Sequence, residues 1–429
     1  MKHRSAITLA AASVGAVALA LSGAAAATAA STTSGGSLTY SVHPIAVKSG
    51  LTTTAAKPTL SLTPAECLAE DGFACQTPDS IRAAYDIPAT IDGVPAGTGQ
   101  TIVIIDAFGS PTVQSDLATF STAFGLPAAD LEVIYPGGKP TFTGHGTQLG
   151  WAQETSLDVQ WAHAVAPGAK IKLVVAANDS GATIDNAEKY VADNKLGNVL
   201  SMSYGEADNL IRNSHANNGQ ASQAKAAFTK AASEGISLFA SSGDAGSDNG
   251  AGFANFGFPA SDPNVTAVGG TNLWKGSGLD EPNETVWDDD DACPLGCWQG
   301  GFGATGGAPS LFDAKQGSDV AYNAAVYTGV LTYLGFLGDD SGLYFMGGTS
   351  AGAPQWAALT ADVAQATGHS VGNVSTLAKS WAANGLLSDV TVGDNATTTF
   401  SGGFAASAGW DAPTGWGTPD VGKIIAALK

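Results

Sequence analysis

The sequence predicts an α/β fold, a parallel sheet flanked by helices on both faces. Three observations carry this. Short β-branched apolar runs recur at 101–105, 170–175, 198–202, 236–240 and 265–268. They are nearly continuous rather than alternating, as strands buried on both faces of a parallel sheet must be. Between them lie helical periods at 151–165, 183–194 and 221–234, the order that right-handed crossovers require. The third observation is composition: 44% hydrophobic residues supply a sizeable core, while only 13% are charged and 55 are glycine.

Taken from the start, Lys2, His3 and Arg4 open a basic stretch, residues 7–21 are apolar, and Ala27-Thr28-Ala29 is a small-residue cleavage site. Residues 1–30 therefore read as a signal peptide and the protein as secreted, since about 20 apolar residues are needed to span a bilayer. Residues 31–66, rich in Ser, Thr, Gly and Ala, read as a linker or short propeptide. Residues 67–429 read as one domain. Within it, 272–345 is Gly-rich and reads as irregular, and a long helix is expected at 351–366. The four cysteines suggest two disulfides, with the local pairings Cys67–Cys75 and Cys293–Cys297 preferred. Asn264, Asn283, Asn373 and Asn395 each begin an Asn-x-Thr/Ser acceptor triplet. With 18 Lys+Arg against 38 Asp+Glu, the net charge of −20 argues against nucleic acid or an anionic membrane as partner. A monomer is expected.

Chemistry concentrates in three places. On the helix containing Glu154 and Asp158, the two carboxylates fall about 40° apart and share a face with Leu157, Trp161, Ala162 and Val165. Gln153, Ser156, Gln160 and His163 lie opposite, on what should be the polar face. Two inward carboxylates repel and resist ionisation, so a proton shared between them suits a general base with an orienting partner. Ser350 sits in Gly347-Gly348-Thr349-Ser350-Ala351-Gly352, a glycine-rich turn opening a helix, where a hydroxyl is exposed to attack a carbonyl. An N-cap serine would look the same. Asp244 follows the strand 236–240, at the carboxyl end where open α/β sheets hold ligands. Protonated, it donates to an oxyanion; alone, it is an ordinary turn aspartate.

Glu154/Asp158, Asp244 and Ser350, in that order, resemble the sedolisin family, the serine-carboxyl peptidases. The likeness extends through Thr77-Pro78-Asp79-Ser80-Ile81-Arg82, Leu157-Asp158-Val159-Gln160-Trp161, Ala166-Pro167-Gly168-Ala169 and Ser201-Met202-Ser203-Tyr204-Gly205. It implies a subtilisin-like fold, Ser350 as nucleophile, Glu154 as general base, Asp158 as orienting acid and Asp244 as oxyanion donor. Asp106, ending the first strand, matches a position where some relatives extend the proton network. The resemblance also implies a Ca²⁺ site from the Asp389 and Asp411 side chains with the carbonyls of Val390, Ser407 and Gly409, a hard oxygen set. Ser407 stands where the family pattern usually has Gly. Relatives typically carry a large folded propeptide, for which the 36 residues of 31–66 are too few. The implied activity is acid endopeptidase action on polypeptides, because a carboxylate base works near its own pKa.

Three alternatives stand beside it. Val103-Ile104-Ile105-Asp106, Gly144-His145-Gly146-Thr147 and Gly348-Thr349-Ser350 also suit an ordinary subtilisin triad of Asp106, His145 and Ser350. GTSAG matches the serine elbow of α/β-hydrolases too, but that reading lacks a well-placed later histidine. A secreted binding protein on the same fold, without catalysis, is the other class.

Overall fold

A computed structural model describes residues 38–52, 59–213, 217–289 and 303–429. In chain order its main strands are β1 (Ile45–Lys48), β2 (Thr101–Ala107), β3 (Asp130–Ile134), β4 (Lys170–Ala176), β5 (Val199–Met202), β6 (Ser237–Ser241), β7 (Val265–Leu273), β8 (Glu284–Val286), β9 (Val320–Asn323), β10 (Val330–Leu334) and β11 (Gly342–Gly347). Eight form one sheet in the order β8-β7-β6-β5-β2-β4-β3, with β9 also on β7. Every pairing but β7–β8 is parallel. The predicted α/β sheet is thus present, and all five expected strands are in it.

Strand alternation divides the core into two layers. Ile102 and Ile104 join a layer with Leu157, Trp161, Phe239 and Trp356, whereas Val103 and Ile105 join one with Ile184, Val191 and Phe228. Helices Thr147–Val165 and Gly352–Thr367 cover the first face; Gly181–Asn194 and Asn217–Ser233 cover the second. The side-chain period of two along each strand sets this division.

Four expectations are corrected or narrowed. The Thr147–Val165 helix has no solvated polar face: Ser156, Gln160 and His163 are all buried. Gln160 pairs with the backbone of Tyr333, giving and taking bonds of 2.8 Å. His163 Nε2 lies 3.0 Å from the Pro127 carbonyl. Covering segments supply polar partners, so the helix is central rather than amphipathic. The stretch 272–345 is not wholly irregular, since it holds β8, β9, β10 and the start of β11. Residues 38–48 are not a loose linker, because β1 pairs antiparallel with β11 and the compact body includes these residues. Asn395 is buried, its amide donating to Gly307 and its carbonyl accepting from Phe404, which places it beyond a glycan's reach.

Cys67 and Cys75 form a disulfide. The signal-peptide reading and Cys293–Cys297 fall outside the described residues. Among the described residues no helix is long and apolar enough to cross a membrane.

Candidate active site

Three of the predicted side chains sit at or next to the ends of core elements, and two on the middle of a helix. Asp106 ends β2, Asp244 follows β6, and Ser350 lies in a short turn between β11 and the Gly352–Thr367 helix. Glu154 and Asp158 face them from the Thr147–Val165 helix. Parallel strands put their carboxyl ends at one edge, so residues 244 positions apart in sequence meet in one crevice.

Asp106, Glu154 and Asp158 are completely buried, and Ser350 is 4% exposed. None of the six carboxyl oxygens has a partner at full hydrogen-bonding geometry. The Ser350 hydroxyl faces Glu154 closely enough to pull its pKa down, without closing a full bond. Such distances often tighten only when substrate binds. Burial holds the Glu154 carboxyl well above its usual range, and the charges of Asp106 and Asp244 push it further. Asp158 is raised in the same way, by burial first and then by Asp106 and Glu154, while the Ser203 hydroxyl opposes the rise. Burial lifts Asp106 to about 7, with Thr155 opposing. Three carboxyl groups in one dry space cannot all ionise, so they share protons.

Asp244 is held differently. The Thr349 N–H and hydroxyl both donate to its Oδ1, each at 2.7 Å, and among the described residues no donor bonds Oδ2. Burial raises its pKa although these bonds oppose the rise. In its neutral form the acid would have one oxygen anchored and the other available to carry a proton. Gly348 permits this approach: its φ is +111°, and a Cβ there would lie 2.9 Å from Asp244 Oδ2.

His145 is exposed in the turn before the Thr147–Val165 helix, while Glu154 is the acid set against Ser350. The Asp106/His145/Ser350 triad is not assembled. Sequence reasoning assigned no role to Thr349, which anchors Asp244, nor to Thr155 and Ser203, whose hydroxyls lie near Asp106 and Asp158 and lower their pKa values. Ser203 and Thr349 lie inside quoted segments, but only their position beside the carboxyls gives them one.

The C-terminal acids also meet. Gly409 N–H donates to Asp389 Oδ2 at 2.8 Å and Ser407 N–H to Asp411 Oδ2 at 3.0 Å. Asp411 Oδ1 accepts from the Thr414 N–H and hydroxyl. Burial is the main cause of a raised Asp411 pKa, and the Asp389 charge adds to it. Val390 is buried beside them. Among the described residues no three His, Cys, Asp or Glu side chains converge to hold a metal. A hard cation here would rely on the Asp389 and Asp411 carboxylates and on backbone oxygens.

The model of the subtilase family matches residues 130–417. Kumamolisin of Bacillus sp. (strain MN-32) is 31% identical over 370 residues, covering 82% of this chain and 63% of its own length. Sedolisin of Pseudomonas sp. (strain 101) is 29% identical over 377 residues, covering 82% and 61%. The chain thus spans about three fifths of the length of these relatives. A solved structure of Pseudomonas sedolisin, a serine-carboxyl proteinase complexed with two molecules of pseudo-iodotyrostatin, superposes with a TM-score of 0.70. It is 27% identical and covers 82% of this chain and 98% of that chain. With a family model matched over most of its length and these relatives across four fifths of it, the chain belongs to the subtilase family, on its sedolisin branch.

Proposed function

We propose that the protein is a secreted, acid-acting serine-carboxyl endopeptidase. The observation that carries this reading is the buried set of Asp106, Glu154 and Asp158 against Ser350, with Glu154 the titratable group set against the nucleophile's hydroxyl. Ser350 Oγ attacks the substrate carbonyl and its proton passes to Glu154. Asp158 shares the charge and fixes the orientation of the acid, and Ser203 supports Asp158. The oxyanion forms opposite Oδ2 of protonated Asp244, a donor already held in place by Thr349. Glu154 then returns the proton to the departing amine, the acyl ester on Ser350 remains, and water releases it by the reverse steps.

Two ionisations bound the active range. The acid cluster must hold one negative charge to act as base, and Asp244 must keep its proton to act as donor. The rate of peptide cleavage by the purified protein is therefore expected to peak below about pH 6 and to fall by pH 7. Ser350→Ala should lower it by at least ~10³-fold. A rate that rises through neutrality and stays high would overturn the carboxylate base. Calcium, held by Asp389, Asp411 and the carbonyls of Val390, Ser407 and Gly409, would pin the C-terminal loop and take no part in the chemistry.

A further inference from the structure

An oxyanion donor must be held by its backbone as well as by its side chain. Thr349 fixes the Asp244 carboxyl, but a shifted backbone would still misplace it, and an error of about 1 Å can cost ~10²-fold in rate. Asp244 lies beyond the end of β6, where its neighbour is the glycine-rich segment 303–307. The Ala304 N–H donates to the Asp244 carbonyl at 3.2 Å, and the Gly306 N–H to the Gly243 carbonyl at 2.7 Å. In return, the Gly246 N–H donates to the Ala304 carbonyl at 3.0 Å. The two segments lie flush. A Cβ on Gly303 would stand 2.5 Å from the Asp244 carbonyl oxygen, and one on Gly306 2.1 Å from that of Ser242. With three glycines in five residues, 303–307 has few side chains to pack, so hydrogen bonds must fix it. Thr305 Oγ1 accepts from the Gly270 N–H at 2.7 Å, which ties the middle of the segment to β7.

Asn395 holds its end. This residue is completely buried, and its side-chain amide donates to the Gly307 carbonyl at 2.9 Å and, at a longer 3.4 Å, to that of Gly306. The Asn395 side-chain oxygen accepts from the Phe404 N–H at 2.8 Å, which sets the way the amide faces. Its backbone carbonyl accepts from the Ser247 N–H at 3.1 Å, and the Ser247 hydroxyl donates to the Gly402 carbonyl at 3.2 Å. One residue thus touches both the segment beside Asp244 and the turn that follows it. Gly246 permits this approach: its φ is +73°, and a Cβ there would lie 2.9 Å from the Asn395 carbonyl oxygen. Burying an amide costs desolvation that its hydrogen bonds must offset. The bridge between Asp394 and Ala405 uses backbone groups, whereas the Asn395 amide N–H groups serve 306–307.

We propose that Asn395 is a positioning residue for the oxyanion donor, its amide holding the segment beside Asp244 and its backbone carbonyl the turn after it. This rests on the reading of Asp244 as that donor. Asn395 touches no reacting atom and acts through the place it gives Asp244. Its loss therefore weakens transition-state stabilisation more than substrate binding, which is read in kcat rather than KM. A role confined to folding would lower the melting temperature and couple to no catalytic group.

The test is a double-mutant cycle in the full-length protein at about pH 4, with kcat and KM for a peptide substrate and the melting temperature measured for each variant. Asn395→Ala should lower kcat at least about tenfold while KM stays within about twofold of native. In an Asp244→Ala background, where no donor is left to position, the same substitution should change kcat by less than about twofold. If Asn395→Ala melts below the assay temperature, Asn395→Leu, which restores the volume but donates nothing, enters the same cycle. An unchanged kcat, a rise in KM alone, or equal kcat losses in the two backgrounds overturns the inference. With Asp244→Ala itself slowed, those outcomes leave the peptidase reading intact. Full activity of Asp244→Ala would instead sink the donor reading, and the role of Asn395 with it.

Discussion

Glu154 and Asp208 are both buried acids, and they live in opposite surroundings. Asp208 accepts from the Ser261 hydroxyl at 2.8 Å, the Ser310 hydroxyl at 2.7 Å and the Leu311 N–H at 3.0 Å. Its pKa is raised by burial, but each of those donors opposes the rise. Glu154 has no full hydrogen bond and is surrounded by further acids. Asp362, equally buried and without a full hydrogen bond, lies instead in the field of the Arg82 charge. Burial alone thus does not mark a functional carboxyl. The mark is burial with neither donors nor a cation to hold the charge, an arrangement that costs stability and leaves the group free to move protons.

The widest test of that contrast is mutation of the base. Glu154→Gln should reduce kcat by ~10²–10⁴-fold, whereas Asp208→Asn should lower the melting temperature while the pH–rate profile keeps its shape. Equal kinetic losses in the two variants would erase the distinction. Asp244→Asn is expected to be milder, about 10²-fold in kcat. The amide keeps an oxygen for Thr349 and an N–H for the oxyanion, but it no longer titrates. Its rate should therefore extend further toward neutral pH than that of the native protein, which stopped-flow or steady-state profiles would resolve.

Stability should follow the same logic. Asp106, Glu154, Asp158 and Asp185 all have folded-state pKa values raised above those of the unfolded chain, two of them to about 7. Raised carboxyl pKa values add stability that is complete below about pH 4 and is lost as pH rises toward and through 7. His163, lowered to about 4 by burial, opposes this, since its unfolded form binds a proton between about pH 6.5 and 4. Four carboxyls outweigh one imidazole, so melting temperature should fall by several degrees from pH 5 to pH 8. A rise over that interval would contradict the neutral-acid picture. The smallest effect expected is that of calcium. Chelation should lower the melting temperature of native protein and leave Asp411→Asn unmoved, as differential scanning fluorimetry would show.

The convergence of the candidate residues was partly legible beforehand because part of its information is local. The spacing of Glu154 and Asp158 sets them on one helix face, and the glycines around Ser350 and Asp244 mark turns at element ends. The same reading failed for the rest of that helix, since Gln160 and His163 find partners on segments far away in sequence. For residues 38–48 it left a linker or a short propeptide open, and composition gave no sign that they pack onto the sheet at 344–347.

By itself, then, the sequence determined the parallel sheet and its helices, and it favoured the local Cys67–Cys75 bridge. Each follows from periodicity, turn chemistry or short separation along the chain, and the model bears out the elements it describes. Tertiary structure alone decided which acids lack donors, which hydroxyls lie near them, and that Ser41 meets Gly205 across 164 positions. The physical reason is range. Local backbone preferences act over a few residues, whereas desolvation and hydrogen-bond satisfaction depend on which distant segments close over a group.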